Sequence, residues 1–246
     1  MAEIDLIAHN DTKSPVSEAY RAIRTNLQFA GAGKPLQLIS FTSAEPNEGK
    51  STTISNLAIV MAQDGKHVLL LDADMRKPVQ HKLFQLVNKG LSNCIATGVE
   101  LEEVIQKEVL PNLDILPSGP VPPNPSELLG SERMTGILES VREMYDYVLI
   151  DIPPVLPVTD AAVIASKVDG VILVLSSGDV SPEEAKHAKA QLAQSGANIL
   201  GVILNKVPHH HHYGYDYNYY YYYYYDEAHV KHKGHKHHHH KKENDD

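Results

Sequence analysis

The sequence predicts an α/β protein with a mainly parallel sheet that has helices on both faces and is followed by a low-complexity tail. Short runs of Val, Ile and Leu recur along residues 36–204, and segments with helical spacing of apolar residues lie between them. Continuous apolar strands are typical of parallel sheets that are buried on both faces. Everything after Pro208 is instead dominated by Tyr, His and Lys. We therefore expect a folded domain over residues 1–208 and a disordered tail over 209–246.

The elements are placed by their caps and their apolar periodicity. Ser14 and Pro15 are typical of a helix start, and Gly31 is typical of its end. The segments that follow in the first half are a strand at 36–41, a helix at 50–63, a strand at 67–72 and helices at 79–86 and 101–107. Those in the second half are strands at 113–116, 147–151, 170–175 and 199–204 and helices at 126–144, 160–166 and 181–195.

The segment Ser-Ala-Glu-Pro-Asn-Glu-Gly-Lys-Ser-Thr at 43–52 joins the first strand to a helix. The N–H groups of such a loop, with the positive end of the helix, cradle nucleotide phosphates, while Lys50 reaches the β- and γ-phosphate oxygens and Ser51 can hold Mg²⁺. Ala44 replaces the first glycine of the usual pattern. The expected nucleotide-binding residues of the loop are Ala44, Glu45, Pro46, Asn47, Glu48, Gly49, Lys50, Ser51 and Thr52.

Carboxylates stand at the ends of two other predicted strands. Asp72 and Asp74 follow the run that begins at Val68, and Asp151 ends the strand that begins at Tyr147. Ligands of open parallel sheets bind at the carboxyl ends of the strands, which is the edge where Lys50 also falls. Three carboxylates at the ends of buried strands are hard to accommodate without a cation. The sequence therefore predicts a site for a nucleoside triphosphate with Mg²⁺.

Composition excludes several other functions. The formal net charge of −9 provides no basic face for nucleic acid, so we expect no nucleic-acid partner. Cys94 is the only cysteine, which rules out an intrachain disulfide and fits a reducing compartment. No stretch reaches the roughly 18 apolar residues that a membrane span requires, and the N-terminus lacks the features of a signal peptide. We expect a cytoplasmic protein, which a membrane partner could recruit.

The tail contains ten of the thirteen tyrosines of the chain. Neither helix nor strand periodicity buries seven adjacent tyrosines on one face, so disorder is the expected state. The tail is either a sticky polar and aromatic segment or a set of phosphoryl acceptors. The candidate acceptors are Tyr213, Tyr215, Tyr217, Tyr219, Tyr220, Tyr221, Tyr222, Tyr223, Tyr224 and Tyr225. The histidine runs at 209–212 and 237–240 either bind a transition metal or reflect compositional drift.

A phosphate-binding loop combined with a tyrosine-rich terminus resembles the bacterial tyrosine kinases (BY-kinases) that regulate capsule and exopolysaccharide synthesis. The resemblance implies a P-loop NTPase fold with deviant Walker motifs, similar to that of partition ATPases, in the form of a separate cytoplasmic kinase subunit. The elements that carry it are the loop 43–52, a second Walker motif at 70–76, the Walker B strand ending at Asp151, the helical Glu18-x-x-Arg21-x-x-Arg24 signature and the tyrosine cluster.

The resemblance implies a protein-tyrosine kinase that uses ATP to phosphorylate its own tail. Lys50 would stabilise the charge that develops on the transferred phosphoryl group, and Ser51, Asp74 and Asp151 would position Mg²⁺. Asp72 would accept the tyrosine proton, although it could instead only hold a metal-bound water. Phosphoryl transfer depends mainly on positioning and charge neutralisation, which this set of residues can supply.

Other residues keep two interpretations each. Arg76 either contacts phosphate or pairs with an acid of its own domain, and Asn205 either recognises adenine or forms an ordinary strand-end turn. Glu18, Arg21 and Arg24 recur every three residues and therefore share one helix face. Such a face is usually solvated, but in the resembled family this signature builds a ring in which the tyrosine cluster of one subunit enters the site of its neighbour.

The resemblance also implies three kinds of partner: further copies in a homo-oligomeric ring, a transmembrane activator or adaptor protein of polysaccharide export, and a cognate tyrosine phosphatase. Two other functions are alternatives. A partition-type ATPase switch would have a second lysine five positions before the loop lysine, where this chain has Glu45. A nucleotide-gated scaffold without kinase activity would use the tail only as an interaction segment.

Overall fold

The computed structural model describes residues 4–31, 33 and 36–208, and its core is a seven-stranded sheet. The strand order is β3-β4-β2-β5-β1-β6-β7, and every neighbouring pair is parallel except β3 with β4. This confirms the predicted mainly parallel α/β fold. The strands are β1 (Leu38–Ser43), β2 (Val68–Asp72), β3 (Gln106–Leu110), β4 (Leu113–Leu116), β5 (Tyr147–Asp151), β6 (Gly170–Ser176) and β7 (Ile199–Asn205).

Helices cover both faces of the sheet, as the apolar strands predict. One apolar cluster joins the sheet to α1, α2 and α3, and a second cluster joins the other face to α5 through α9. The helices are α1 (Ile7–Asn10), α2 (Pro15–Ala30), α3 (Lys50–Gln63), α4 (Gln80–Leu83), α5 (Leu91–Thr97), α6 (Pro125–Gly130), α7 (Glu132–Met144), α8 (Asp160–Ala165) and α9 (Pro182–Gln194). Among the described residues, no helix has the length and apolar character needed to cross a bilayer.

The predicted caps of α2 are confirmed. Ser14 has extended backbone, and its side chain accepts a hydrogen bond from the N–H of Ser17, while Pro15 occupies the first turn. Gly31 follows the last helical residue. Helix α3 covers the whole of the predicted segment 50–63.

The predicted helix at 101–107 is wrong. Leu101–Glu103 form one 3₁₀ turn, and Gln106–Leu110 then form β3, which pairs antiparallel with β4 at the edge of the sheet. Val104 and Ile105 are buried, so the apolar spacing that indicated a helix instead anchors the entrance to an edge strand. The helix α5 that precedes this segment was not predicted.

Three further elements differ from the prediction. The single helix expected at 126–144 is two helices, because Ser131 has extended backbone and its side chain caps α7 through the N–H of Met134. The helix expected at 79–86 is shortened to one turn, α4. Strand β1 begins at Leu38 and runs through Ser43, two residues beyond the predicted end.

Candidate active site

The phosphate-binding loop enters α3 through Gly49. This residue has a φ of 81°, in the left-handed region that favours glycine, and it caps the helix that begins at Lys50. A Cβ atom at Gly49 would lie 2.1 Å from Nδ2 of Asn205 at the end of β7. The backbone conformation therefore favours glycine here, and a larger residue would also have to displace the amide of Asn205. The close approach fixes the loop against the carboxyl edge of the sheet.

Glu48 holds the loop together with a buried carboxylate. Its Oε1 accepts a hydrogen bond from the N–H of Glu45 at 2.5 Å, and its Oε2 accepts one from the N–H of Ser176 at 2.8 Å. Burial raises the pKa of Glu48, although these backbone donors oppose the shift. The side chain thus ties the loop to the end of β6.

The end of β7 also contacts the loop. Nδ2 of Asn205 donates to the carbonyl of Glu48 at 2.9 Å, and Nζ of Lys206 donates to the carbonyl of Asn47 at 2.8 Å. Asn205 therefore lies beside the nucleotide loop, as the sequence predicts, with its amide bonded to the loop backbone. Adenine recognition by Asn205 stays a prediction.

The sheet register brings the predicted carboxylates to one side. Asp72 lies opposite Asp151 in the pairing of β2 with β5. Residues two positions before them, Leu70 and Leu149, pack in the apolar cluster that contains α3. Because side chains alternate along a strand, Asp72 and Asp151 also face α3, from which Lys50 extends.

Lys50 is the cation of this cluster. Its Nζ contacts Oδ1 of Asp151 directly and lies 3.9 Å from Oδ2 of Asp74, and the side chain is 6% exposed. The hydroxyl of Ser51 lies 3.3 Å from the same Nζ. The structure thus brings together the predicted loop lysine, the loop serine and two of the predicted carboxylates.

Asp72 occupies a cradle of backbone donors. Its Oδ1 accepts from the N–H of Asp74 at 3.1 Å, and its Oδ2 accepts from the N–H groups of Val79 and Gln80 at 3.1 and 3.0 Å. Burial, followed by repulsion from Asp151, raises the pKa of Asp72 to about 8. A carboxylate whose pKa lies near neutrality is suited to accept a proton and release it again.

Gln80 belongs to the same cluster, although the sequence did not identify it. The side chain is fully buried, and its Nε2 donates to Oδ2 of Asp151 at 2.7 Å. It stands on the one-turn helix α4, eight positions after Asp72, and no recognised motif contains it. The only sequence signal is a polar residue within the predicted helical segment 79–86.

Arg76 pairs with an acid of its own domain. Its Nε and one terminal nitrogen donate to the two carboxylate oxygens of the buried Asp160, each at 2.9 Å. The hydroxyl of Ser126 contacts the same carboxylate. Of the two interpretations of Arg76, the pairing within the domain describes this structure, and contact with phosphate stays a prediction.

The charged face of α2 contacts its own chain. Arg21 pairs with Glu18 and donates to the carbonyl of Thr12 at 2.6 Å. Arg24 contacts α3, with one guanidinium nitrogen 3.2 Å from Oδ1 of Asp64 and 3.3 Å from the carbonyl of Val60. The role of this face in a subunit interface stays a prediction.

The predicted cation site has an oxygen-only set of donors. Ser51, Asp74 and Asp151 all approach Lys50, and hydroxyl and carboxylate oxygens are the ligands that Mg²⁺ prefers. Within the described ranges, no group of three or more His, Cys, Asp or Glu side chains forms a preorganised metal cluster. The tail tyrosines and both histidine runs lie outside the described residues.

A glycine-capped loop at the start of a helix, a buried lysine and carboxylates from adjacent strand ends define a P-loop nucleotide-binding protein. A family model described as an AAA domain matches residues 36–192. Tyrosine-protein kinase YwqD of Bacillus subtilis (strain 168) is 45% identical over 202 residues, which cover 82% of this chain and 85% of that protein.

Solved structures agree with this comparison. The kinase domain of Escherichia coli tyrosine kinase ETK has a TM-score of 0.83 and 39% identity, covering 88% of this chain and 86% of that chain. The septum site-determining protein MinD from Pyrococcus horikoshii, complexed with Mg-ADP, has a TM-score of 0.61 and 26% identity, covering 71% and 72%. The chain belongs to the bacterial tyrosine kinase family and is a protein-tyrosine kinase. The resemblance that the sequence indicates is confirmed.

Proposed function

We propose that this kinase transfers the γ-phosphoryl group of ATP to tyrosines of its own C-terminal tail, in trans within a homo-oligomer. The observation that carries the proposal is the position of Lys50, buried between Asp151 and Asp74 at the first turn of α3. A buried lysine at a helix N-terminus beside a glycine-capped loop is suited to bind a phosphate chain. The tyrosine-rich tail supplies the acceptors.

The donors at the loop fit a nucleotide with Mg²⁺. Asp74 and Asp151 both face Lys50, so these three groups have a formal excess of one negative charge that a cation would balance. When bound, Mg²⁺ neutralises charge on the phosphate oxygens. Ser51, Asp74 and Asp151 are the residues that would hold it.

In this mechanism the phenol oxygen of the acceptor forms a bond to the γ-phosphorus, the bond to the bridging oxygen breaks, and ADP leaves. Asp72 accepts the phenolic proton. A phenol with a pKa of about 10 is mostly neutral at pH 7, so a carboxylate within reach assists the attack. The backbone N–H groups that hold Asp72 keep its carboxylate oriented during the transfer.

The biological setting follows from family membership. We propose that the kinase acts in capsule or exopolysaccharide synthesis, at the inner face of the cell membrane. A transmembrane adaptor of polysaccharide export would recruit it and raise its basal activity, and a cognate tyrosine phosphatase would reverse the modification.

Two experiments test the proposal. After the purified full chain is incubated with ATP and Mg²⁺, mass spectrometry should detect phosphate on peptides from residues 213–225. ATP hydrolysis without phosphotyrosine would instead favour the partition-type ATPase, and nucleotide binding without either reaction would favour the scaffold.

Transfer in trans needs a mixture of two full-length chains. One carries Lys50→Met and a native tail, and the other has an intact site with all ten tail tyrosines replaced by Phe. Phosphate should appear on the Lys50→Met chain. If neither chain is phosphorylated while the wild-type chain is, the transfer occurs within one subunit.

A further inference from the structure

The side-chain amide of Gln80 connects two of the motifs that surround Lys50. Nε2 of Gln80 lies 2.7 Å from Oδ2 of Asp151 and 3.3 Å from the carbonyl of Ser51, and its Oε1 lies 2.7 Å from the hydroxyl of Ser55. The first contact reaches the end of β5, and the other two reach the first turns of α3. Gln80 therefore crosses from one motif to the other inside the protein.

The orientation of this amide follows from its neighbours. Asp151 Oδ2 and the Ser51 carbonyl are both acceptors, so the NH₂ group must face them, because the opposite orientation would place three acceptors together. The amide oxygen then faces Ser55, whose hydroxyl also lies 2.7 Å from the Ser51 carbonyl. Gln80 is buried, so bulk solvent does not reach its amide.

Both oxygens of Asp151 are consequently engaged. Oδ1 contacts Lys50, and Oδ2 accepts from Gln80. The backbone N–H of Gln80 also donates to Oδ2 of Asp72, so this residue holds one carboxylate through its main chain and another through its side chain. An amide can do this without changing the charge of the cluster.

We propose that Gln80 is a positioning residue for phosphoryl transfer, which holds Oδ2 of Asp151 so that Oδ1 points toward Lys50 and the phosphate-binding loop. The inference rests on the proposed role of Asp151 in the reaction. Without the amide, the carboxylate can rotate about its last side-chain bond, and the oxygen aimed at the loop is no longer fixed. Small displacements of this kind cost up to about 100-fold in rate.

The test compares Gln80→Leu, which removes the amide at similar size, with Ser55→Ala, which leaves the contact to Asp151 in place. Gln80→Leu should lower kcat for phosphotyrosine formation by roughly 10- to 100-fold, with KM for ATP within about threefold of wild type. Ser55→Ala should retain kcat within about threefold. Gln63→Leu, which removes an amide bonded to the Ala8 carbonyl, is the control for a generic loss.

Nucleotide binding gives a readout that is independent of turnover. The Kd of a fluorescent ADP analogue is measured with Mg²⁺ and with EDTA. Gln80→Leu should keep the Kd measured in EDTA but reduce the gain in affinity that Mg²⁺ provides. Thermal unfolding is recorded for each variant. If Gln80→Leu does not fold, Gln80→Asn replaces it. The Asn side chain is one methylene too short to reach Asp151, so kcat of this variant should fall by at least about 10-fold.

Asp151→Asn separates the positioning role of Gln80 from the role of Asp151 in the reaction. One outcome is that Asp151→Asn lowers kcat while Gln80→Leu keeps the wild-type kcat and the wild-type increase in ADP-analogue affinity with Mg²⁺. In that case the positioning role of Gln80 is wrong and the role of Asp151 stands. If Asp151→Asn retains kcat, the proposed role of Asp151 is wrong, and the inference for Gln80 fails with it. Equal losses in kcat for Gln80→Leu and Gln63→Leu would also overturn the inference, because the loss of any hydrogen-bonded amide would then explain both.

Discussion

Lys50 combines two functions that a substitution can separate. In the proposed mechanism its charge stabilises phosphate oxygens, and in the structure it balances Asp151 and Asp74 in a buried cluster. Lys50→Met should reduce phosphotyrosine formation by at least about 1,000-fold, because the transition-state charge loses its main cation. The domain should remain folded, since the carboxylates can take up protons. Lys189→Met on the exposed face of α9 is the control.

The measurement is phosphotyrosine formation by the purified chain, with circular dichroism to follow folding. Retained autophosphorylation in Lys50→Met would contradict the mechanism. An unfolded Lys50→Met chain would show that the cluster has a structural function stronger than its contacts suggest, and Lys50→Arg would then test the need for a cation at this position.

Asp169 controls stability rather than chemistry. Its carboxylate accepts from the N–H groups of Gln37 and Leu38 and forms two hydrogen bonds with the guanidinium of Arg142, at 2.8 to 2.9 Å. Burial alone would raise the pKa of Asp169, but the bonds from Arg142 and the two backbone donors outweigh it and lower the pKa. Asp169→Asn should lower the free energy of unfolding by about 2 kcal/mol at pH 7.

The pH dependence follows from the sign of that shift. Because the folded pKa lies below the unfolded value of about 3.9, the stabilisation is complete above that value and is lost as pH falls through the folded pKa. Urea titrations should therefore show the difference between wild type and Asp169→Asn shrinking below about pH 4. The exposed Glu183→Gln is the control. A difference that stays constant down to acid unfolding would contradict the assignment.

The sequence predicts a helix or strand well where local chemistry decides it. Helix α2 has a capping serine, a first-turn proline and a terminal glycine, and its bounds were predicted within a residue or two. The segment at 101–107 has no such signals. Its apolar spacing fits a helix and an edge strand equally, and only the pairing of β3 with β4 decides between them.

The same distinction applies to the site. Lys50, Asp72, Asp74 and Asp151 could be predicted because parallel strands bring their carboxyl ends to one edge, whatever the details of packing. Gln80 could not, because its role depends on where a one-turn helix crosses the end of β5. That crossing depends on tertiary packing, which the residue type at position 80 does not predict.

Helix α2 provides a prediction about assembly. We expect replacement of Glu18, Arg21 and Arg24 by Ala to give monomers and to slow tail phosphorylation. Because Arg24 also contacts Asp64 and the α3 backbone, the double variant Glu18→Ala with Arg21→Ala is the cleaner test. The ion pair between Glu18 and Arg21 contributes at most about 1 kcal/mol to the free energy of unfolding, because such surface pairs are screened by solvent. The midpoint of thermal unfolding of the double variant should therefore lie within about 4 °C of wild type.

Light scattering gives the mass, and phosphotyrosine detection gives the rate. Arg24→Ala alone is measured separately, and it should lower the unfolding temperature by loosening α2 from α3. Lys189→Ala on the exposed face of α9 is the control that should keep the wild-type mass and rate. A double variant that keeps the wild-type mass and rate would show that this face is only solvated, which is the other interpretation of the signature.

The chain joins two segments of very different composition. Residues 36–204 contain recurring runs of Val, Ile and Leu, whereas the residues after Pro208 are dominated by Tyr, His and Lys. Residues 36–208 form a sheet whose loop is tied to β6 by Glu48 and to β7 by Asn205. This anchoring preorganises the loop for phosphate, in agreement with catalysis by positioning. In the proposed function, the tyrosine-rich segment after Pro208 would supply the phosphoryl acceptors.

The final prediction is that tail phosphorylation loosens the oligomer. Each phosphotyrosine carries about −1.5 to −2 charges at pH 7, so four modified tyrosines add roughly −6 to −8 to a chain whose formal charge is already −9. In a ring where tails enter neighbouring sites, this charge would repel other tails and the carboxylates Asp72, Asp74 and Asp151. The Debye length is about 8 Å at physiological ionic strength, so the effect should weaken as salt rises.

Light scattering measures the mass of the oligomer. It compares phosphorylated with phosphatase-treated protein at equal concentration, at low and at moderate salt. The variant with all ten tail tyrosines replaced by Phe is the control, and incubation with ATP should not change its mass. An oligomer that keeps its mass after extensive tail phosphorylation would show that the cluster signals by another route than charge repulsion.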